Sequence, residues 1–339
     1  MNPSLDFENS EDDWKKSLRS ALKNNSELNA YFNLSINCSY PHFIPIKLAK
    51  KIKKSGPNSA LWKQFVPDEL ENSSLQEKGH IDPIGDQLHH KSAQLIHRYK
   101  NRALFLPITA CPVICRYCFR KNELDLENFE GDLFIPDREK TLNYLQEHPM
   151  IEEIIFSGGD PLIMNNEKIE SYLQLFSTIT SIKYIRFHSR VPVILAERIT
   201  HKLVALFQKF SWRFTFIFVI HCNHQEEIDD EEEAAILKLA ECSQLLSQTV
   251  LLKGVNDDSR TLRDLILKLQ KLKVRPYYLH HPDKVKGGMH FYLEKSTGLI
   301  IYKELRQLIP GWMLPHYVVD DPEGSGKQAV ENFFYTHHV

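Results

Sequence analysis

"ALFLPITACPVICRYCFRK" runs from Ala103 to Lys121. It opens on an apolar, β-prone run and then places three cysteines, Cys111, Cys115 and Cys118, within eight residues. A strand that empties into a chemically loaded loop is the repeating unit of an α/β fold. Similar runs recur downstream: "EEIIFSGG" (152–159), "IKYIRFHSR" (182–190), "RFTFIFVIH" (213–221), "QTVLLKG" (248–254) and "VRPYYLH" (274–280). Between them lie segments of helical period, "REKTLNYLQEH", "EKIESYLQLFSTI", "AERITHKLVALFQKF", "EEEAAILKLAECSQLL" and "SRTLRDLILKLQKL". Six such βα steps predict a parallel sheet curled into a partial (β/α)6 barrel. In that architecture chemistry gathers on the loops leaving the carboxyl ends of strands. The cysteines, "SGGDP" and "HSR" fall on those loops.

Upstream of about Tyr99 the pattern is helical and irregular. "DDWKKSLRSALKN" reads as an amphipathic helix, and "IDPIGDQLHHKSAQLIHRY" as a turn entering another helix. The expectation is a helical extension in front of the barrel.

Composition narrows the function classes. With 339 residues, 42% apolar and 25% charged, the chain is globular, and its formal charge of −2 gives no basic field for collecting nucleic-acid phosphates. The lysines of 47–54 read as a solvated helix face, and "DDEEEAA" as an acidic helix start. The first thirty residues are polar and acidic, and no stretch approaches the ~20 apolar residues that span a bilayer, so the expected location is the cytoplasm. In a reducing compartment the clustered thiols point to metal binding or catalysis rather than disulfides. Cys38, Cys222 and Cys242 stand alone and read as small buried side chains.

A structural zinc takes four protein ligands, and only one tight cluster is present. A C-x3-C-x2-C loop suits a [4Fe–4S] cluster with three irons on cysteine and the fourth open to a small molecule. Tyr117 would shield such a cluster, with Arg116 and Arg120 supplying positive charge. "CPVICRYC" resembles the loop of the radical S-adenosylmethionine (SAM) enzymes. That resemblance implies that the open iron chelates the methionine part of SAM. "SGGDP" resembles the family's glycine motif, which places Ser157, Gly158, Gly159 and Asp160 at SAM. His188, Arg190, His221 and Asn223, at strand ends, are expected to face the same pocket.

Near the end stands "YVVDDPEGSGKQA" (317–329), where Gly324 and Gly326 precede Lys327. Alone it reads as a surface turn with an exposed lysine. Joined to the cysteine loop, it resembles the pyridoxal phosphate (PLP) segment of the lysine 2,3-aminomutase family, and in particular the short bacterial branch that makes β-lysine for elongation factor P. Further blocks follow in that family's order, among them "HRYKNRALFLPITACPVICRYCFRK" (97–121), "HSRVPVILAERI" (188–199), "FVIHCNHQEEID" (218–229), "LLKGVND" (251–257) and "PYYLHHPDKVKGGMHF" (276–291).

The resemblance implies an isomerase that converts L-lysine to β-lysine. Lys327 would carry PLP, Arg98 and Arg102 would receive its phosphate, and Arg120 would pair with the substrate carboxylate. Asp283 and Asp320 would hold the side-chain ammonium, a pair that a neutral or acidic side chain would leave unpaired at several kcal/mol; Asp321 is the weaker candidate. Implied partners are a reductant such as flavodoxin or ferredoxin and a ligase acting on elongation factor P. The corresponding division is 1–96 for the helical region, 97–312 for the radical SAM core and 313–339 for the PLP-lysine segment.

Two features depart from the longer aminomutases: "PEGSGK" has Glu323 and Ser325 where they tend to have glycine, and twelve residues follow Lys327, which puts their structural zinc and subunit contacts in doubt. The competing readings are a radical SAM, PLP-dependent aminomutase acting on ornithine or a peptidyl lysine, and a non-catalytic iron–sulfur carrier.

Overall fold

A computed structural model describes residues 13–85, 89–92, 94–121, 138–321 and 326–332. The stretch 322–325, with Glu323, Gly324 and Ser325, lies outside the described residues. Four short helices come first: α1 (Asp13–Arg19), α2 (Asn25–Phe32), α3 (Ile46–Ser55) and α4 (Ala60–Phe65). Local chemistry starts α2 and α4: the Asn24 side chain accepts from Glu27 N at 3.0 Å, and Ser59 Oγ from Trp62 N at 3.1 Å.

Ten strands then form one sheet in chain order. They are β1 (His90–Ser92), β2 (Leu95–Tyr99), β3 (Arg102–Ile108), β4 (Glu153–Gly158), β5 (Tyr184–Ser189), β6 (Thr215–His221), β7 (Gln244–Val250), β8 (Arg275–His280), β9 (His316–Asp321) and β10 (Gly326–Ala329). From β3 to β9 every neighbouring pair is parallel; β1–β2–β3 and β9–β10 are antiparallel. The crossovers are α5 (Arg138–Glu147), α6 (Asn166–Ser177), α7 (Val191–Ile194) with α8 (His201–Lys209), α9 (Asp230–Leu239), α10 (Ser259–Lys271) and α11 (Lys295–Leu308). These are the six βα steps of the expected partial barrel. The two ends of the sheet approach each other, because Tyr99 Oη on β2 accepts from the Lys327 backbone N on β10 at 2.7 Å.

Three readings are corrected. "LIHRY" is strand rather than helix: pairing with β3 decides it, because Leu95 and Ile96 find Phe105 and Leu104 opposite. Strand β7 begins at Gln244, not Gln248, since "QLL" fits the period of a helix end and of a strand equally. Strands β9 and β10 occupy a stretch read as a surface turn.

Side-chain alternation builds the two faces of the sheet. Phe105, Phe156, Phe187 and Phe218 are register partners on four successive strands. Phe156 stacks on Phe187 with centroids 4.5 Å apart, and Phe187 on Phe218 at 5.2 Å, under edge contacts from Tyr172 and Phe176 of α6 and Phe207 of α8. Burying each ring contributes about 1.5–3 kcal/mol. Positions one step away, Leu104, Ile155, Arg186 and His188, turn to the opposite face and line a cavity.

The two charge runs noted in the sequence meet. Lys47 Nζ lies 3.4 Å from Glu231, and Lys51 Nζ lies 3.1 Å from Asp229 and 2.9 Å from Glu232. Two of the five lysines of α3 therefore face the acidic start of α9. Among the described residues no helix is long and apolar enough to cross a membrane.

Candidate active site

The strand ends surround a cavity of about 290 Å³. Every candidate residue singled out in the sequence lines it, apart from Arg116, Asn223 and Asp321. Cys111, Cys115 and Cys118 sit at one end, with Arg120 beside them; Lys327, Asp320, Asp283, Arg98 and Arg102 also contribute to its wall.

The cysteine loop is tied down on several sides. Ile114 N donates to Phe43 O at 3.1 Å and Arg116 N to Gln64 O at 2.9 Å, so residues ahead of the barrel hold its backbone. Arg190 Nη1 donates to Cys115 Sγ at 2.9 Å. The same guanidinium pairs with Glu227 at 2.6 Å, bonds Gln64 Oε1 at 2.8 Å and reaches the Tyr117 hydroxyl. Burial pushes the Cys111 thiol well above its usual value and Cys118 up to about 11. Burial thus favours the neutral thiol at both positions, and binding a metal there would release protons. Among the described residues no three His, Cys, Asp or Glu side chains converge as ligands of a single ion do. A [4Fe–4S] cube instead takes each thiolate on a different iron, and three thiols on one tethered loop fit that demand.

The "SGGDP" turn is stitched to the segment entering the cysteine loop: Gly159 N donates to Ile108 O at 2.8 Å and Asp160 N to Ala110 O at 2.9 Å. Gly158 has φ +100°, and a Cβ there would lie 2.6 Å from Ile108 O; a Cβ on Gly159 would run into the Ala110 carbonyl. Glycine is required at both positions by this close backbone approach. The buried Asp160 carboxylate accepts from Ser189 Oγ at 2.7 Å, Arg190 N at 2.6 Å, Leu162 N at 3.1 Å and Val191 N at 3.2 Å. It locks the glycine turn to "HSR".

Asn223, expected at the cofactor, is instead buried behind the wall. Its amide donates to Tyr117 Oη at 2.6 Å and Gln64 Oε1 at 3.0 Å, and its Oδ1 accepts from Val250 N at 2.8 Å. It acts on the cavity through Tyr117, Val250 and, by way of Gln64, Arg190.

At the other end Lys327 Nζ donates to both oxygens of Asp320, at 2.9 and 2.7 Å. Register explains the pair: Lys327 on β10 is directly opposite Asp320 on β9. Burial works to raise the Asp320 carboxyl, but the Lys327 ammonium and neighbouring charges hold it below the usual range. His280 Nδ1 is 3.9 Å from Asp320, and burial lowers this histidine to about 3. His188 is also driven down, by burial first and then by the charges of Arg186 and Lys327, and its buried Nε2 has no hydrogen-bond partner within the protein. Both imidazoles are neutral at neutral pH. Arg102 lies over the Tyr99 ring at 3.7 Å, and Arg98 donates to Ile84 O at 2.8 Å.

Sequence reasoning missed Gln64, Glu71, Glu227, Gln248 and His280. The strand-end rule would have caught Gln248 and His280, which lie in β7 and at the end of β8. Nothing local marks Gln64 or Glu71, whose partners are distant in sequence.

A family profile described as a 4Fe-4S single cluster domain matches residues 101–188. The chain is 36% identical over 278 residues to the L-lysine 2,3-aminomutase of Haemophilus influenzae, covering 80% of this chain and 79% of the relative. It is 33% identical over 336 residues to that of Buchnera aphidicola, covering 94% and 95%, and 36% identical over 273 residues to that of Escherichia coli, covering 80% and 78%. The chain belongs to the lysine 2,3-aminomutase family of radical SAM isomerases, which shift an amino group with the help of a [4Fe–4S] cluster, SAM and PLP.

Proposed function

We propose that this chain converts L-lysine to β-lysine with Lys327 as the PLP attachment point. The observation that carries this reading is the ammonium of Lys327 seated on both Asp320 oxygens, in the same cavity as the three clustered thiols. The site is built to receive an alkylammonium group, and the protein's own lysine occupies it.

Bound PLP supplies a carbonyl carbon for amine capture, and the cluster with SAM supplies the one-electron chemistry that takes hydrogen from an unactivated carbon. Cys111, Cys115 and Cys118 would hold the cluster, with Ser157, Gly158, Gly159, His188 and Arg190 shaping the SAM end. Asp160 would fix the glycine turn in place, and Asn223 would serve indirectly by orienting Tyr117. Arg98 and Arg102 would receive the PLP phosphate. Committing Lys327 Nζ to PLP frees Asp320 for the side-chain ammonium of L-lysine, with Asp283 as the second acceptor. Arg120 would then pair bidentately with the α-carboxylate at the opposite end. Neutral His188 and His280 add no competing cation, so a substrate without a terminal ammonium would leave Asp320 unpaired in a buried wall.

The test is anaerobic: reconstituted protein, SAM, a one-electron reductant and L-lysine, with product identified by chromatography. β-Lysine from the native chain, and its loss in Asp283→Asn and Asp320→Asn with the iron content intact, are expected. No β-lysine from the native chain, or turnover retained in both variants, would overturn the reading.

The product's destination is elongation factor P, supplied through a ligase, and the electron donor is a flavodoxin or ferredoxin. Deleting the gene should lower the intact mass of elongation factor P by one β-lysyl group; an unchanged mass would contradict this part.

A further inference from the structure

Behind the cysteine loop, on the side away from the cavity, lies a set of buried charges that the chemistry above does not use. Arg116, Glu71 and Lys121 have side chains with no exposed surface. Arg116 sits between Cys115 and Tyr117, and Lys121 three residues beyond Cys118; neither lines the cavity. Glu71 comes from a 3-10 turn (Glu69–Asn72) well ahead of the barrel, and its carboxylate is held in a capping box with Asp68.

Glu71 Oε1 accepts from Arg116 Nε at 2.8 Å, while Oε2 accepts from Arg116 Nη2 and from Lys121 Nζ at 3.2 Å. Arg116 also donates to Pro41 O at 2.7 Å; Lys121 donates to Arg116 O at 2.9 Å and to Gly287 O at 2.7 Å. Gly287 follows Asp283 in the loop that carries that acid. One carboxylate therefore grips the segment bearing Cys115 and Cys118 at two points, at Arg116 between the two cysteines and at Lys121 beyond them, and through Lys121 it anchors that segment to the Asp283 loop.

Buried charge of this kind is costly unless matched, and removing one partner of such a set is far worse than replacing the set by apolar groups. Here two cations face one anion. Loss of Glu71's charge would leave both cations buried and unmatched on the back of the thiol loop, and the loop would have to move to rehydrate them.

We propose that Glu71 is the positioning residue of the cysteine loop: by pairing Arg116 and Lys121 together it fixes the thiols where an iron–sulfur cluster can be held. This rests on the reading that the three cysteines carry that cluster.

The experiment compares the full chain, Glu71→Gln, Lys121→Met and the double variant after anaerobic reconstitution with iron and sulfide. Iron per chain and the electron paramagnetic resonance signal of the reduced cluster, with and without SAM, are read for each. Glu71→Gln is expected to lose at least half of its iron and to give an altered, SAM-insensitive signal. Glu71→Gln with Lys121→Met, which removes one unmatched cation, is expected to regain iron and the SAM response. Native iron and signal in Glu71→Gln would overturn the proposal. So would a double variant no better than the single one, since loss of packing alone is not repaired by deleting a second side chain. If the native chain takes up no iron, the cluster reading fails and takes this inference with it.

Discussion

The two ends of the cavity are built on different physics. At the thiol end two networks of buried charges brace the loop: Arg190 with Glu227, Gln64 and Cys115, and Glu71 with Arg116 and Lys121. At the lysine end the principal contact is one ion pair between the last two strands, with the Lys327 side chain 28% and that of Asp320 12% exposed. The braced end suits a cluster that must stay fixed while its metal changes oxidation state. The other suits an ammonium that must leave and be replaced by the substrate's.

Breaking the braced end should have the largest effect. Arg190→Met leaves Glu227 buried without its partner, at about 3–5 kcal/mol, and the unfolding midpoint should fall on the order of 10 °C. A shift of only a degree or two by calorimetry would mean that the network is not the brace described. Asp320→Asn should do the opposite: a stability loss well below that of Arg190→Met, because the Lys327 ammonium is 28% exposed and Asn can still accept its hydrogen bond, but a fall of roughly 100-fold or more in kcat/KM for L-lysine, about 2.7 kcal/mol. Equal losses of stability at the two ends would erase the contrast.

The response to pH is smaller. Burial lowers His280 and His281 to about 3 and His290 to about 4, below the ordinary 6.5 of the unfolded chain. A depressed folded value means that the unfolded chain binds the proton first. The contribution is therefore complete above about pH 6.5 and is lost as pH falls toward 4 and 3. Thermal midpoints should be flat near neutrality and decline below pH 6.5, and His281→Asn, which can still bond Tyr317, should lessen the decline. An identical acid slope in that variant would contradict the assignment. Least of all, Lys51→Met should cost about 0.2–1 kcal/mol in low salt and less as salt rises; a salt-independent loss would show that packing, not charge, joins α3 to α9.

What the sequence revealed followed from local rules. Apolar, β-prone runs alternating with segments of helical period marked the strands, and the chemistry stood at or just beyond their carboxyl ends, so the strand-end loops could be read directly. Lys327 was legible only with the cysteine loop beside it, because its partner Asp320 is set by the pairing of β9 with β10, in a stretch whose sequence alone reads as surface. Leu95 and Ile96 suit a helix until β3 is laid against them. Glu71 and Gln64 carry no local signal: an acid and an amide in an irregular polar stretch become structural only when the fold delivers Arg116 and Arg190 to them.

The central claim is that thiols and lysine serve one substrate in one cavity. The most direct measurement uses L-lysine carrying deuterium at carbon 3, incubated anaerobically with reconstituted protein, SAM and a reductant. Deuterium should appear in the 5′-deoxyadenosine released from SAM and in the β-lysine formed. 5′-Deoxyadenosine without deuterium would show that the hydrogen came from elsewhere, and that the two ends do not act on the same molecule.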